Sequence, residues 1–184
     1  MNKLAVIFPG IGYHTDKPLL YYSGKLVGGM GYEIIKIAYP PLEVNLKEAA
    51  PAQKEAFVKQ CVETAAASLG ETDLSEFSDI LFISKSIGTV VAAYLAESLG
   101  IKVRHVFFTP LEETFGAADA YCAIAFNGTK DNWADWEKVV DLAGEKGVPI
   151  TTVEGANHSL ETGDAVADIR ILGDTINSVK RFVE

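Results

Sequence analysis

Ser86, Asp131 and His158 are the residues of this sequence whose types and order could carry out nucleophilic catalysis. A serine hydroxyl is a weak nucleophile until a base removes its proton, and that base needs a third group to orient it. Histidine and aspartate are suited to these two tasks. Intervals of 45 and 27 residues separate the three positions, and each interval has room for complete strand–helix units. We therefore expect the fold to bring the three side chains together at one edge of a sheet.

The segment around Ser86 has the pattern of a sharp turn between a strand and a helix. The apolar run Ile80–Ile83 precedes it, and the helix-like stretch Thr89–Leu99 follows it. This is the context of a nucleophile elbow, in which a serine stands at the apex of the turn between small residues. The small residues here are Ser84 and Gly88. Because the first is usually glycine, the segment is one residue short of the full G-x-S-x-G pattern.

His158 is the expected base among the three histidines of the chain. It follows the sixth strand-like run, and functional side chains gather at the C-terminal ends of parallel strands. His14 follows the first such run and could also approach the site. His105 lies within a strand-like run, near its start and remote from that edge, so we expect it to be a packed or edge histidine.

The acid that would orient His158 has several candidates. Asp131 follows the fifth strand-like run and stands at the expected place in the order of the three. Asp135 lies one helical turn later, and Glu112 and Glu113 follow the fourth run. Asp131 could instead cap the helix that begins near residue 133, a common role of aspartate. We expect Asp131 to be the acid and keep the other three carboxylates as alternatives.

Two backbone N–H groups are suited to hold the negative oxygen of an acyl-transfer intermediate. One belongs to Ile87, which follows Ser86 at the start of a helix. The other belongs to Ile11, in a Gly-rich turn after the first strand-like run, where the backbone can approach a substrate. This turn does not extend to a dinucleotide-binding G-x-G-x-x-G, since position 15 is threonine. A flavodoxin-like or nucleotide-binding sheet is therefore not favoured.

Six apolar strand-like runs alternate with helical patterns along the chain. Several runs are continuously apolar, which is typical of parallel strands covered on both faces. Because strands alternating with helices pair in parallel through right-handed crossovers, we predict one α/β domain over residues 1–184. Its architecture should be a three-layer α/β/α sandwich around a mostly parallel sheet of about six strands. The predicted strands are Leu4–Phe8, Ile34–Ala38, Ile80–Ile83, Val103–Phe108, Tyr121–Phe126 and Ile150–Val153, and the predicted helices lie within Leu19–Gly28, Phe57–Leu69, Thr89–Leu99, Trp133–Val140 and Ile169–Val183.

The composition argues against several classes of function. A net charge of −9 disfavours nucleic-acid binding, which requires a basic surface. The N-terminal apolar run is too short for the core of a signal peptide or for a membrane span. Cys61 and Cys122 lie in apolar segments without metal-ligand spacing, so we expect two free, buried thiols, a reducing cytoplasm, and neither metal nor cofactor. Nothing in the composition indicates an oligomeric state.

With its motifs in this order, the chain resembles the α/β-hydrolase superfamily, in particular small bacterial members of the dienelactone-hydrolase or short-esterase kind. The similarity extends over nearly the whole chain and implies a minimal α/β-hydrolase fold without a cap domain. It implies Ser86 as nucleophile, Asp131 as acid, His158 as base, and an oxyanion hole formed by the amides of Ile11 and Ile87. The motifs that carry the resemblance are the loop Pro9–Gly12, the turn Ser84–Gly88, and the loops Gly128–Asp131 and Gly155–His158, which are similar to the family's G-x-x-D and G-x-x-H patterns.

The activity implied by the resemblance is hydrolysis of a small ester or thioester through an acyl-enzyme. The alternative is a non-catalytic module that binds a small ligand and retains these residues by descent.

The sequence departs from the family pattern at two positions. Ser84 in place of glycine should crowd the strand–helix packing slightly, and Pro9 replaces a histidine often found before the oxyanion loop. Without a cap insertion between Phe108 and Tyr121, the site should be shallow and open.

Five residues near these loops are candidates for contact with the substrate. Lys85 could lower the pKa of the Ser86 hydroxyl, attract an anionic substrate, or be an ordinary solvated lysine. Aromatic side chains after the strands could provide selectivity. The five candidates are Tyr13, His14, Lys85, Phe115 and Trp133.

Overall fold

The apolar runs form one six-stranded sheet in the computed structural model, which describes residues 2–41, 46, 48–70, 72–117 and 122–184. The strands are Asn2–Phe8 (β1), Tyr32–Lys36 (β2), Phe77–Lys85 (β3), Arg104–Phe108 (β4), Ala123–Gly128 (β5) and Ile150–Val153 (β6), and the helices are Pro18–Gly29 (α1), Pro51–Leu69 (α2), Ile87–Leu99 (α3), Thr114–Ala117 (α4), Trp136–Glu145 (α5) and Ala165–Val183 (α6), with a 3₁₀ turn at Leu74–Glu76.

The strand order is β2-β1-β3-β4-β5-β6, and all five neighbouring pairs are parallel. This confirms the predicted α/β class and six-stranded sheet. Between β4 and β5, the described residues contain only the one-turn helix α4, and no cap domain is present among them. Phe8 pairs with Ser84, and Lys85 pairs with Phe108, so the loops after β1, β3 and β4 leave the sheet at the same level.

Alternate residues of the central strands face two different helix layers. Leu4, Val6 and Phe8 of β1 pack in one apolar cluster with residues of α2 and α3. Ala5 and Ile7, which point to the opposite face, pack with α1 and α6. These five side chains are all 1% exposed or less. Two-sided burial explains why the sequence of this strand is continuously apolar, and it confirms the three-layer sandwich.

Several elements begin at a residue other than the first of their apolar pattern. Proline and polar residues explain the earlier starts of α2 and α6. α2 begins at Pro51, which needs no N–H partner in the first helical turn. α6 begins at Ala165, since the carboxylate of Asp164 accepts hydrogen bonds from two N–H groups of its first turn. β2 and β5 are each shifted by two residues from their predicted starts, and Tyr121 lies outside the described residues.

A polar cluster fixes the end of the sheet opposite to Ser86. Arg104 donates hydrogen bonds to the side chains of Asp79 and Tyr32. The same guanidinium donates to the carbonyls of Phe182 and Val183, at 2.9 and 3.2 Å, and so holds the C-terminus of α6 against the sheet. The half-buried charges at this end of the sheet therefore stabilise the fold, whereas the loops after the strands carry the candidate catalytic residues.

Three further observations concern cysteines, metals and membranes. Neither cysteine is in a disulfide, and Cys61 is buried as expected, whereas Cys122 is only half-buried. Within the described ranges, no group of three or more His, Cys, Asp or Glu residues could hold a metal ion. No helix in the described part of the chain combines the length and apolar character needed to cross a bilayer.

Candidate active site

Ser86 stands in a sharp turn between β3 and α3. Its φ of 55° and ψ of −127° form a conformation that residues with a side chain rarely adopt. Such a conformation costs of order 1–3 kcal/mol and persists only where the surroundings enforce it. Here the Ser86 N–H donates to the carbonyl of Phe108 at 3.0 Å, which ties the turn to β4. The turn leaves Ser86 partly exposed at the end of β3, where the last residues of both β3 and β4 are buried.

The residues on either side of Ser86 fit the turn in different ways. A Cβ on Gly88 would lie 2.4 Å from the carbonyl oxygen of Pro9, so only glycine allows this approach. Ser84 is fully buried, and its hydroxyl donates to the carbonyl of Val106 at 3.2 Å. The side chain at position 84 therefore makes a hydrogen bond to the neighbouring strand, and the serine in place of glycine is accommodated.

His158 and Asp131 form a hydrogen-bonded chain with Ser86. Nε2 of His158 lies 2.7 Å from Oγ of Ser86, and Nδ1 lies 2.7 Å from Oδ2 of Asp131. The His158 side chain is 14% exposed and that of Asp131 only 2%. Water therefore has access to the serine end of the chain and is excluded from the carboxylate end. The structure thus brings together the three residues that the sequence places 45 and 27 positions apart.

The two oxygens of the Asp131 carboxylate serve different partners. While Oδ2 faces His158, Oδ1 accepts hydrogen bonds from the N–H groups of Trp133 and Ala134, at 2.8 and 3.3 Å. Burial alone would raise the pKa of Asp131, but the His158 ring and these N–H groups outweigh it and lower the pKa. Asp131 therefore combines the contact with His158 and the bonds to the following turn, but it does not cap the helix as considered, because α5 begins at Trp136 and is capped by Asp135.

The other carboxylates considered as the acid occupy different positions. The Asp135 carboxylate caps α5 by accepting from the N–H of Lys138. Glu112 accepts from the N–H of Asp135 at 3.3 Å, and Glu113 is exposed. These contacts leave Asp131 as the carboxylate that lies within hydrogen-bond distance of Nδ1 of His158.

The loops that carry Asp131 and His158 are fastened to each other. The N–H of Lys130 donates to the carbonyl of Ala156 at 2.9 Å, and the N–H of Gly155 donates to the Thr129 hydroxyl at 2.8 Å. A Cβ on Gly128 would lie 2.2 Å from the Ala156 oxygen, so the two backbones approach as closely as glycine permits. Asp131 and His158 are therefore positioned as one unit.

A tight turn after β1 lies next to Ser86. Gly10 and Tyr13 exchange two backbone hydrogen bonds of 3.0 and 3.3 Å, which leaves the N–H groups of the residues between them, including Ile11, outside this pair. A Cβ on Gly10 would lie 3.1 Å from Cβ of Ser86. Ile87 is the first residue of α3, so its N–H has no acceptor within the helix. Ile11 and Ile87 both line the space in front of Ser86.

A cleft of about 1130 Å³ opens at Ser86 and His158. Small-molecule sites typically occupy about 300–1,000 Å³, so the cleft is more extensive than expected of a site without a cap, while its half-open form agrees with the expectation of an open site. Val58 and Val62 of α2 line the cleft, whereas a cap insertion would have stood between β4 and β5. Val58 and Val62 belong to the apolar pattern that predicts the core-facing side of this helix. In the structure, the buried residues of α2 are Phe57, Cys61, Ala65 and Leu69, and Val58 and Val62 lie beside them.

Of the five residues considered for contact with a substrate, Tyr13, Lys85 and Trp133 line this cleft. The Trp133 ring stacks on the His158 ring, with centres 5.8 Å apart. Phe115 does not line the cleft, because it is 2% exposed and packs in an apolar cluster under α3 and α5. His14 is exposed outside the cleft, and its Nδ1 accepts a hydrogen bond from an N–H of its own turn.

Lys85 is buried, with only 1% of the residue exposed, so its interpretation as a solvated lysine is wrong. Its Nζ lies 5.1 Å from the centre of the Tyr13 ring. Burial lowers the pKa of Lys85 to about 7, and the carboxylates of Asp131 and Glu161 act in the opposite direction. The residue preceding Ser86 is therefore a lysine that changes charge near neutral pH.

His105 is packed in the sheet, as predicted. It is 2% exposed, and its ring stacks on that of Phe107 and meets the edge of Phe82, with centres 4.9 and 5.7 Å away. This position is remote from the loops that follow the strands. His158 is thus the histidine that lies at Ser86.

Comparison with solved structures identifies the fold. A serine hydrolase homologue from Coxiella burnetii superposes with a TM-score of 0.71 at 14% identity, over 100% of this chain and 85% of that one. Est1E from Butyrivibrio proteoclasticus, solved with ferulic acid bound, gives 0.70 at 12% identity, over 98% and 88% of the two chains. A serine hydrolase without a lid from Xanthomonas campestris gives 0.62 at 13% identity, over 98% and 80%.

These similarities show that the chain has the fold of the α/β hydrolases, over its whole length. At the level of sequence, no family model and no curated protein matches the chain.

Proposed function

We propose that the protein is a serine hydrolase that cleaves a small ester or thioester through an acyl-enzyme, in a reducing cytoplasm. The observation that carries the proposal is the continuous chain from Ser86 Oγ through the His158 ring to Asp131 Oδ2, with both distances at 2.7 Å. Nucleophile, base and orienting acid are then all within the reach that proton transfer requires.

In the first half of the reaction, His158 accepts the hydroxyl proton while Ser86 Oγ attacks the carbonyl carbon. For this, Nδ1 must carry the ring proton and donate it in a hydrogen bond to Asp131, so that the lone pair of Nε2 faces Ser86. The buried carboxylate favours this tautomer, because its lowered pKa keeps it ionised near neutral pH. It also stabilises the imidazolium that forms.

In the second half, the imidazolium returns its proton to the departing oxygen or sulfur, and the acyl group stays on Ser86. Water then attacks the acyl-enzyme with His158 again as base, which releases the acid and restores the serine. The N–H groups of Ile11 and Ile87 are our candidates to hold the oxyanion in both steps. Removing one such donor typically costs about 10²–10³ in rate.

The comparisons support this chemistry. The similar structures from Coxiella burnetii and Xanthomonas campestris are described as α/β serine hydrolases. A non-catalytic binding module would be favoured by a separation of Ser86 and His158 beyond hydrogen-bond reach and by the lack of a cleft. Ser86 Oγ and His158 Nε2 are 2.7 Å apart and both residues line the cleft, which favours the hydrolase over the binding module.

A fluorophosphonate probe tests the proposal directly, because it reacts covalently with an activated serine. We expect labelling of the wild-type protein, no labelling of Ser86→Ala, and strongly reduced labelling of His158→Ala. Ser159→Ala is the matched control, since Ser159 is the next residue of the same loop, and it should be labelled like the wild type. Absence of labelling in the wild type, together with no turnover of p-nitrophenyl esters, would refute the proposal.

A further inference from the structure

An apolar groove leads away from Ser86 between α2 and α3. Its floor is formed by Ile87 and Val90 of α3, which are 6% and 3% exposed, and its walls by the half-buried Val58 and Val62 of α2. We propose that this groove binds the acyl chain of the substrate and that it favours chains of about eight carbons. The inference rests on the hydrolase function proposed above and names the substrate class: medium-chain esters or thioesters.

The direction of the groove assigns it to the acyl side of the scissile bond. The leaving group must lie near Nε2 of His158, which returns the proton to it. His158 follows β6, at one edge of the sheet, and the ring of Trp133 covers it on that side. α2 packs over β1 and β3, on the opposite side of Ser86. A substrate that places its leaving group at His158 therefore directs its acyl chain towards α2.

The length of the apolar part follows from the rise of α3. At about 1.5 Å per residue, Val90 lies roughly 6 Å and Tyr94 roughly 12 Å along the helix from Ser86. Beyond Tyr94 the lining becomes polar, at Glu97 and Ser98. Since each C–C bond of about 1.5 Å advances an extended chain by slightly less than its length, about 12 Å accommodates roughly eight to nine carbons.

The rim of the groove is charged, which sets an upper limit on the chain. Lys54, Glu55 and Lys59 of α2 line the cleft together with Glu112 and Glu113, and all of them are exposed except the half-buried Glu112. A longer alkyl chain would have to pass these side chains, and the removal of water from charged groups without pairing is costly. The groove therefore selects medium chains over both short and long ones.

Hydrolysis of p-nitrophenyl esters of two, four, eight and sixteen carbons measures this selectivity. Complete burial of one CH₂ corresponds to roughly a fourfold gain, and in a half-open groove we expect about twofold, which accumulates to about 60-fold in kcat/KM from acetate to octanoate. The palmitate should gain nothing further. Val62→Trp should lower the octanoate-to-acetate ratio at least tenfold, whereas Gln60→Trp, on an exposed face of the same helix, should leave it unchanged.

Binding measured without catalysis separates this inference from the hydrolase function. In Ser86→Ala, octanoate should bind at least tenfold more tightly than butyrate by calorimetry, and adding Val62→Trp or Val58→Trp should abolish the difference. Two positions are used so that a variant that fails to fold, as judged by circular dichroism, can be replaced. If esters are hydrolysed without dependence on chain length and octanoate binds no better than butyrate, the groove is not an acyl site. If octanoate binds as expected but no ester is hydrolysed, the hydrolase proposal fails and the groove remains a site for medium alkyl chains.

Discussion

Replacing Lys85 by methionine should stabilise the protein by an amount that falls as the pH rises. The side chain of Lys85 is buried, and burial lowers its pKa from 10.5 to about 7 against the opposing effect of Asp131 and Glu161. Below pH 7 the folded protein must therefore keep a cation away from water, whereas the unfolded chain solvates it freely. Methionine has a similar length and no charge, and it suits an irregular apolar environment.

The size of the effect follows from the difference between the two pKa values of Lys85. One pKa unit corresponds to about 1.4 kcal/mol, so a folded value of about 7 against 10.5 makes the protonated lysine cost about 5 kcal/mol. Between pH 7 and 10.5 the unfolded chain binds the proton and the folded chain does not, so the stability of the wild type rises with pH through this window. From pH 6 to pH 9, the free energy of unfolding of the wild type should rise by about 2.5 kcal/mol from this effect. The contact of Nζ with the Tyr13 ring contributes about 2 kcal/mol at most, so it does not reverse the sign.

Urea unfolding of both proteins at pH 6, 7.5 and 9, followed by tryptophan fluorescence, measures this prediction. The advantage of Lys85→Met should be largest at pH 6 and smaller by about 2.5 kcal/mol at pH 9. Lys25→Met is the matched control, because Lys25 lies 5.6 Å from the centre of the Tyr21 ring but is exposed. Its difference from the wild type should stay small and nearly constant. Parallel pH curves for Lys85→Met and the wild type would refute the reasoning, since the burial of Lys85 would then carry no electrostatic cost.

Two further predictions concern the carboxylate and the loops of the site. Asp131→Asn should fold normally, because the amide oxygen keeps the hydrogen bonds to the following turn. It should lower kcat by about 10⁴-fold, because the amide NH₂ faces His158 and forces the ring proton onto Nε2. A loss of less than tenfold in steady-state assays would contradict this prediction. In Gly128→Ala, the added Cβ would lie 2.2 Å from the Ala156 oxygen and would force the 128–131 and 153–158 loops apart. We expect the fold to be destabilised by about 1–3 kcal/mol and kcat to fall more than tenfold. Urea unfolding and ester turnover measure it, and unchanged stability would show that the loops are not locked.

The strands and their positions along the chain could be predicted, because the burial that makes a strand apolar acts on consecutive residues. A run such as Leu4–Phe8 is apolar on both faces since two helix layers cover it, and that burial is written in consecutive residues. The approach of Ser86, Asp131 and His158 could also be predicted, because parallel strands deliver their following loops to one edge. These inferences need no knowledge of how the helices pack on one another.

The features that could not be predicted depend on packing between elements distant in sequence. Whether Lys85 is solvated or buried depends on how closely the turn at Tyr13 covers it. Phe115 looks like a cleft residue from its place after a strand, but its ring turns into the core under α3. The groove arises because Val58 and Val62 lie on α2 beside the buried row, where only the position of α3 decides between core and cleft.

The hydrogen bonds between the 128–131 loop and the 153–158 loop make Asp131 and His158 parts of a single rigid body. Two backbone hydrogen bonds of 2.9 and 3.1 Å, the 2.8 Å bond from the Gly155 N–H to the Thr129 hydroxyl, and the close approach at Gly128 hold this body together, whereas Ser86 is carried by β3. Thermal motion or ligand entry that displaces the C-terminal strands would leave the bond between histidine and aspartate intact. Of the two hydrogen bonds at the site, such a displacement would change the one between His158 Nε2 and Ser86 Oγ. The distance between these two atoms would then decide whether His158 can accept the serine proton.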